Sequence, residues 1–286
     1  MPNFNKLLTK VDKFQQKHAI TAFSVAVIKK YGDDEAGKLG ALITYYGFLS
    51  LFPLLMVTST ILQIVFRHHE EFRTTVINSI NHYFPVLNDY FAGDVRGLQK
   101  TGLALVVGLL LTLYGALGGA SMARNAINKI WHVPKDKWPR YPKSVLVNLQ
   151  LVVVGGGALV VAAILSSHSA SISFGLASRL IPLAISLICL VFAFFLIFKI
   201  CIATQEHAAK YIFTSAFIAA VGIQALLILG GYLVTHELKN LSKLYGTFAV
   251  VLGLMFWIYL QVRVLLFAVE AGSVHANKRW PRSLVD

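Results

Sequence analysis

The sequence predicts an all-α fold: a polytopic membrane bundle of six transmembrane helices, with an N-terminal amphipathic interfacial helix and a helical external loop. Three observations carry this. Apolar blocks recur near the ~20 residues that cross a bilayer's hydrocarbon core at ~1.5 Å per residue. The 286 residues are 56% apolar, with a mean hydropathy of +0.66. Only 14% are charged, far below the ~25% of soluble domains, so a soluble core is excluded.

In chain order, residues 1–38 form a cytosolic arm. Phe4, Leu7, Leu8, Val11 and Phe14 recur at helical spacing, with Lys6, Lys10, Lys13 and Lys17 between them. That pattern suits a helix in the membrane interface, its lysines toward anionic headgroups, or a cytosolic helix packed on the protein. No cleavable signal peptide is expected. Gly32 to Gly37 reads as a turn. The transmembrane domain spans 39–270 and begins with Leu39–Phe66, which lacks Asp, Glu, Lys and Arg. Pro53 interrupts this first span and removes the regular donor to the Leu49 carbonyl, which the Ser50 hydroxyl can replace. Five further spans are placed at Gly102–Ala123, Val145–Leu165, Leu180–Phe198, Tyr211–Thr235 and Gly246–Glu270. Between the first two lies an external loop, 67–100, whose Phe72, Val76, Ile80 and Phe84 share a helical face. A cytosolic tail covers 271–286.

The charge distribution sets the expected orientation. Of the 26 Lys and Arg residues, eighteen fall on the side of the two termini, seven on the opposite side, and Arg263 inside a span. By the positive-inside rule both termini are cytoplasmic. The same bias accounts for the net charge of +13 without nucleic acid, and the expected partners are membrane lipids, chiefly anionic. A homo-oligomer or a further membrane partner is compatible with this pattern. Trp131, Trp138 and Tyr141 read as an interfacial belt. Glycine pairs and runs (Gly115 with Gly119, Gly155 to Gly157, Gly230 with Gly231) and Ala216 with Ala220 mark places where helices can approach closely.

Candidate site residues follow from polar groups inside spans. An arginine at mid-span costs ~2.5–3.5 kcal/mol on insertion scales, so Arg263 requires a cavity, a partner helix or the interface. Phe256, Tyr259, Arg263 and Glu270 fall on one helical stripe, Arg263 and Glu270 ~10 Å apart along the axis. Tyr45, Tyr46, Ser50 and Pro53 form a second polar group, expected to face the bundle interior near that stripe. Gln224 is a lone hydrogen-bonding residue in the fifth span. Together, Tyr45, Tyr46, Ser50, Pro53, Gln224, Tyr259, Arg263 and Glu270 are the candidate cavity-lining set. No metal site or cofactor is expected: His68 and His69 are adjacent and point ~100° apart on a helix, and no second element completes them. Cys189 and Cys201 are twelve residues apart, ~18 Å along one helix, too far to bridge.

Three stretches are similar to a known family: Thr44-Tyr-Tyr-Gly-Phe-Leu-Ser-Leu-Phe-Pro-Leu-Leu55; Ala123-Arg-Asn-Ala-Ile-Asn-Lys-Ile-Trp131; and Tyr245-Gly-Thr-Phe248 with Phe256-Trp-Ile-Tyr259 and Glu270-Ala-Gly272. With the six-span layout they resemble the YihY/BrkB family of bacterial inner-membrane proteins, some of which carry an old ribonuclease BN label. The chain departs from the family's Pro-Gly-Ala-like element at the fifth span, where it reads Ala208 to Ala216. The resemblance implies a six-span protein of the bacterial cytoplasmic (inner) membrane, with an acidic residue at Glu270. It implies no particular activity.

Two functions are expected from these features. One is a transporter or flippase-like protein for a lipidic or anionic solute, resting on the polar residues of the first and sixth spans. The other is a non-transporting scaffold or envelope-integrity factor, resting on the glycine-rich packing surfaces. No enzymatic role and no catalytic residue are expected. Metal-dependent RNA hydrolysis needs converging His and carboxylate ligands, whereas the thirteen carboxylates here are scattered mostly in loops.

Overall fold

The computed structural model describes residues 18–65, 102–169, 177–203, 209–233, 247–278 and 280. Among the described residues the regular elements are helices: α1 (Ala19–Asp33), α2 (Ala36–Val65), α3 (Gly102–Ile130), a 3-10 turn (Lys135–Lys137), α4 (Lys143–Ser169), α5 (Ala177–Cys201), α6 (Ala209–Leu233) and α7 (Thr247–Ala276). The expected arm before residue 18, the external loop 67–100 with its His68–His69 pair, and the tail from 281 lie outside the described residues.

Among the described residues six long helices overlap the positions of the six predicted spans; α6 has the predicted length and the other five are longer. Among the described residues, four segments are long and apolar enough to cross a membrane: Val106–Ile130, Leu183–Cys201, Ala209–Gly230 and Val251–Ala276. In α4 the apolar stretch Lys143–Ala158 is shorter. The largest difference is at α3, which continues seven residues past Ala123 to Ile130. The sequence reading placed Arg124 and Lys129 in a loop because charge ends an apolar run. The helix continues because Ala126, Ile127 and Ile130 keep a buried face through that turn; Lys129 is exposed, and Arg124 is buried with Nη1 donating to the Ser144 carbonyl, so neither charge ends the helix.

The N-terminal region also differs from expectation. α1 ends at Asp33, so the predicted turn at Gly32–Gly37 contracts to Asp34 and Glu35, where Glu35 adopts φ +55°. The Glu35 carboxylate accepts a 2.6 Å bond from Lys38, and this contact holds its pKa below the usual carboxylate range. α1 buries Ala22, Ala26, Val27, Lys30 and Tyr31. Ala26 and Val27 pack with Ala271 and Val274 of α7. The residues whose spacing carries the two readings of the arm, Phe4 to Lys17, lie outside the described residues.

Helices approach closely where glycine removes a side chain. α2 and α3 lie side by side: a Cβ on Gly118 would stand 2.5 Å from the Tyr46 ring, and one on Gly115 would stand 2.6 Å from the Ser50 Cβ. Gly119, expected as the second contact, has ordinary room, its nearest neighbour 3.7 Å away. Gly230 of α6 gives way to the Trp257 indole of α7. The run Gly155–Gly157 meets nothing within 4 Å, so among the described residues it is no packing surface. A large core joins all seven helices around Ile127, Ile130, Phe198, Ala216 and Leu266, with Tyr31 from α1 and Leu151 from α4. A smaller one holds Leu51, Ile223, Leu227, Leu254 and Trp257. Trp131 belongs to the larger core at 2% exposure and not to an interfacial belt. The carbonyl of Val133 accepts the Trp138 indole N–H at 3.0 Å, while Tyr141 is 84% exposed. Cys189 and Cys201 are both free thiols on α5.

Candidate functional site

Three helices meet at the end of the bundle where α1 and α7 terminate. Lys30 sits on the α1 stripe that includes Ala22 and Ala26, so its four-residue spacing directs it into the protein with them. Its ammonium donates to Glu270 Oε2 at 2.6 Å, Asp34 Oδ2 at 2.5 Å and the Ile130 carbonyl at 2.8 Å. Three acceptors exhaust the three donors of an ammonium. Lys30 is 2% exposed and Glu270 0%. A buried ion pair costs desolvation on both sides and holds only with this complete bonding. The Ile130 carbonyl also accepts from Ser273 Oγ at 3.0 Å. It is the C-terminal carbonyl of α3, a group with no intrahelical donor. One ammonium and one hydroxyl therefore join α1 and α7 to the end of α3. The second oxygen of Glu270, Oε1, is buried with no hydrogen-bond partner among the described residues.

Asn128 forms the matching tie to α5. Its Nδ2 donates to the Cys201 carbonyl at 2.7 Å and the Arg124 carbonyl at 2.9 Å; its Oδ1 accepts from the Ala203 amide at 2.9 Å. The side chain thus serves both an orphan carbonyl and the amide beyond the end of α5. Arg124 Nη1 donates to the Ser144 carbonyl at 3.1 Å and holds the start of α4 to α3.

Two turns into α7 from Glu270, the Arg263 guanidinium lies against aromatic rings: 5.6 Å from Tyr259, 5.8 Å from Tyr31 and 5.9 Å from Phe267. Tyr31 and Phe267 stack at 3.9 Å with their planes 9° apart. Burial pushes the Tyr31 hydroxyl above the usual phenol range, and the Arg263 guanidinium acts against that rise. Among the described residues Arg263 has no carboxylate within ion-pair distance. Cation–π contacts contribute ~0.5–2 kcal/mol each and leave the guanidinium's positive charge uncompensated.

The predicted stripe and its companions are therefore divided. Glu270 enters the ion pair, and Arg263 and Tyr259 share the aromatic cluster. Phe256, on the same stripe, is 60% exposed, because Tyr31 of α1 covers the stripe only around Arg263 and Phe267. Tyr46 and Ser50 pack on the α3 glycines. Tyr45, expected to face the interior, is 54% exposed and touches Tyr46 edge-on at 5.4 Å. Adjacent residues on a helix point ~100° apart, so one of two neighbouring tyrosines turns away from the α3 seam. Pro53 lies within α2, which continues helical to Val65; its surroundings fall outside the described side chains. Gln224 Oε1 accepts from Ser186 Oγ at 3.2 Å, tying α6 to α5. Sequence reasoning missed Lys30 and Asn128. The Ala22–Ala26–Lys30 spacing was the available signal for the first. Asn128 lay unremarked within the Ala123–Trp131 stretch.

Long apolar helices joined by buried polar ties define an integral membrane protein of helical type. The chain matches the family described as "Virulence factor BrkB" over residues 27–284, and it belongs to that family. It is 27% identical to "Inner membrane protein YhjD" of Escherichia coli, over 93% of this chain and 85% of that protein. It is 24% identical to a "UPF0761 membrane protein" of Alteromonas mediterranea, over 88% of each. A second UPF0761 membrane protein, from Ralstonia nicotianae, is 24% identical over 86% of this chain and 57% of its own length. No solved structure matches.

Proposed function

We propose that this chain is a six-span transporter or flippase-like protein for a lipidic or anionic solute, with both termini in the cytoplasm. The observation that carries the reading is Arg263. It is a cation within an apolar span, held by Tyr31, Tyr259 and Phe267 and without a carboxylate partner among the described residues. A charge retained at such a cost and left uncompensated suits transient contact with an anionic group. The test is movement of labelled anionic phospholipid across reconstituted vesicles. Arg263→Ala is expected to slow it about tenfold or more, with Arg263→Lys retaining part of the rate. Rates unchanged by Arg263→Ala and Tyr46→Ala would sink the proposal.

The scaffold reading draws on a different observation, the ties through Lys30 and Asn128 that join α1, α3, α5 and α7 at one end. A stable co-purifying partner, with no lipid movement, would favour it. Either role is non-enzymatic and independent of nucleic acid: purified protein is expected to leave RNA intact with added Mg²⁺, and cleavage would overturn that.

A further inference from the structure

Between the α3–α4 connection and the end of α5 lies a groove of about 800 Å³, whose walls include Asp136, Lys137, Trp138, Arg140, Lys143 and Ile202. Its volume is in the range of small-ligand sites. Three exposed cations face it against a single carboxylate, Asp136. The wall is held in shape from both sides, by Trp138 Nε1 on the Val133 carbonyl and by Arg124 on the Ser144 carbonyl. The end of α5 adds no free carbonyl at Cys201, because Asn128 donates to it.

We propose that this groove binds the phosphate of an anionic phospholipid headgroup. A phosphate suits the two guanidinium and ammonium types present, Arg140 by a planar fork and Lys137 and Lys143 as point charges. The case for a lipid over a free phosphate or a nucleic acid lies in what adjoins the groove. Immediately beyond Lys143, the α4 residues Val145, Leu146, Leu149 and Val153 are all exposed. Leu146, Leu149 and Val153 are spaced by three and four and share one face, which Val145 flanks; that face is turned about 100° or more around α4 from the groove-lining Val147. Tyr141, at 84% exposure, stands at the boundary between charge and apolar surface, where an aromatic ring with a polar tip is favoured. Basic groove and apolar face together match a headgroup and its acyl chains. The inference rests on membrane insertion but not on transport. Lipid can occupy the groove whether or not Arg263 moves any.

The experiment counts bound lipid by native mass spectrometry on the detergent-purified chain, titrated with phosphatidylglycerol, phosphatidylcholine or soluble glycerol phosphate. Phosphatidylglycerol is expected to bind in preference to both others. Lys137→Gln, Arg140→Gln and Lys143→Gln combined are expected to weaken it on the order of 100-fold, as three interfacial cations are removed. Asp136→Asn is expected to tighten it several-fold, an opposite sign that damage to the fold does not produce. Unchanged affinity in the triple variant, or equal binding of phosphatidylcholine, overturns the proposal. Displacement of the lipid by glycerol phosphate at equal concentration assigns the groove to a free phosphate and overturns the lipid source.

Discussion

Lys30→Met is expected to destabilise the protein by about 3–5 kcal/mol, the range for removing one partner of a buried ion pair. The loss arises at Glu270, which is 0% exposed and whose only hydrogen bond among the described residues comes from Lys30. Glu270→Leu is expected to cost less, about 1–3 kcal/mol, because Lys30 keeps Asp34 and the Ile130 carbonyl and the loss is confined to one partner. Asp34 is 14% exposed, so water reaches it when Lys30 is gone. The double variant Lys30→Met with Glu270→Leu is expected to recover most of the single loss, since no buried charge is left alone and Ser273 still serves the Ile130 carbonyl. Thermal midpoints of the four proteins in one detergent give the cycle. A double variant as unstable as the sum of the singles would show that the pair does not act as a unit.

Asn128→Ala is expected to cost about 2–4 kcal/mol, because it orphans the Cys201 carbonyl and the Ala203 amide together and each buried orphan costs ~1–3 kcal/mol. Asn128→Asp separates the two contributions. It keeps an acceptor for the Ala203 amide but sets an oxygen against the Cys201 carbonyl. Loss of stability at least equal to that of alanine is therefore expected, through repulsion and a buried charge. Hydrogen exchange at the Ala203 amide reports the local consequence: faster in the alanine variant, slow in the wild type. Slow exchange in both would mean that Asn128 does not secure the end of α5.

The ties behind these two predictions differ in how far the sequence revealed them. Glu270 was legible, as a carboxylate at the end of an apolar run on the stripe with Arg263. Its partner was not. Lys30 lies among the seven lysines of the first 38 residues, and an N-terminal lysine is ordinarily solvated or set against headgroups. Only the docking of α1 on α7 sets it inside the protein. Trp131 was misread for a related reason. Tryptophan next to a basic loop suits an interface, but α3 runs to Ile130 and takes Trp131 into the core. Tyr45 and Tyr46 could not be told apart in sequence, since which one meets the α3 glycines depends on the rotation of α2.

By itself the sequence determined the class of protein, the six long helices to within a few residues for most of their ends, and the presence of polar groups inside spans. These are one-dimensional properties: apolar length against bilayer thickness and charge against helix ends. Which polar groups meet was decided only by tertiary structure. Lys30 and Glu270 are 240 residues apart and Asn128 and Cys201 are 73 apart, so no local period links them. A hydrogen bond is fixed by positions good to a few tenths of an ångström. Those positions follow from how glycines and alanines let whole helices seat against one another.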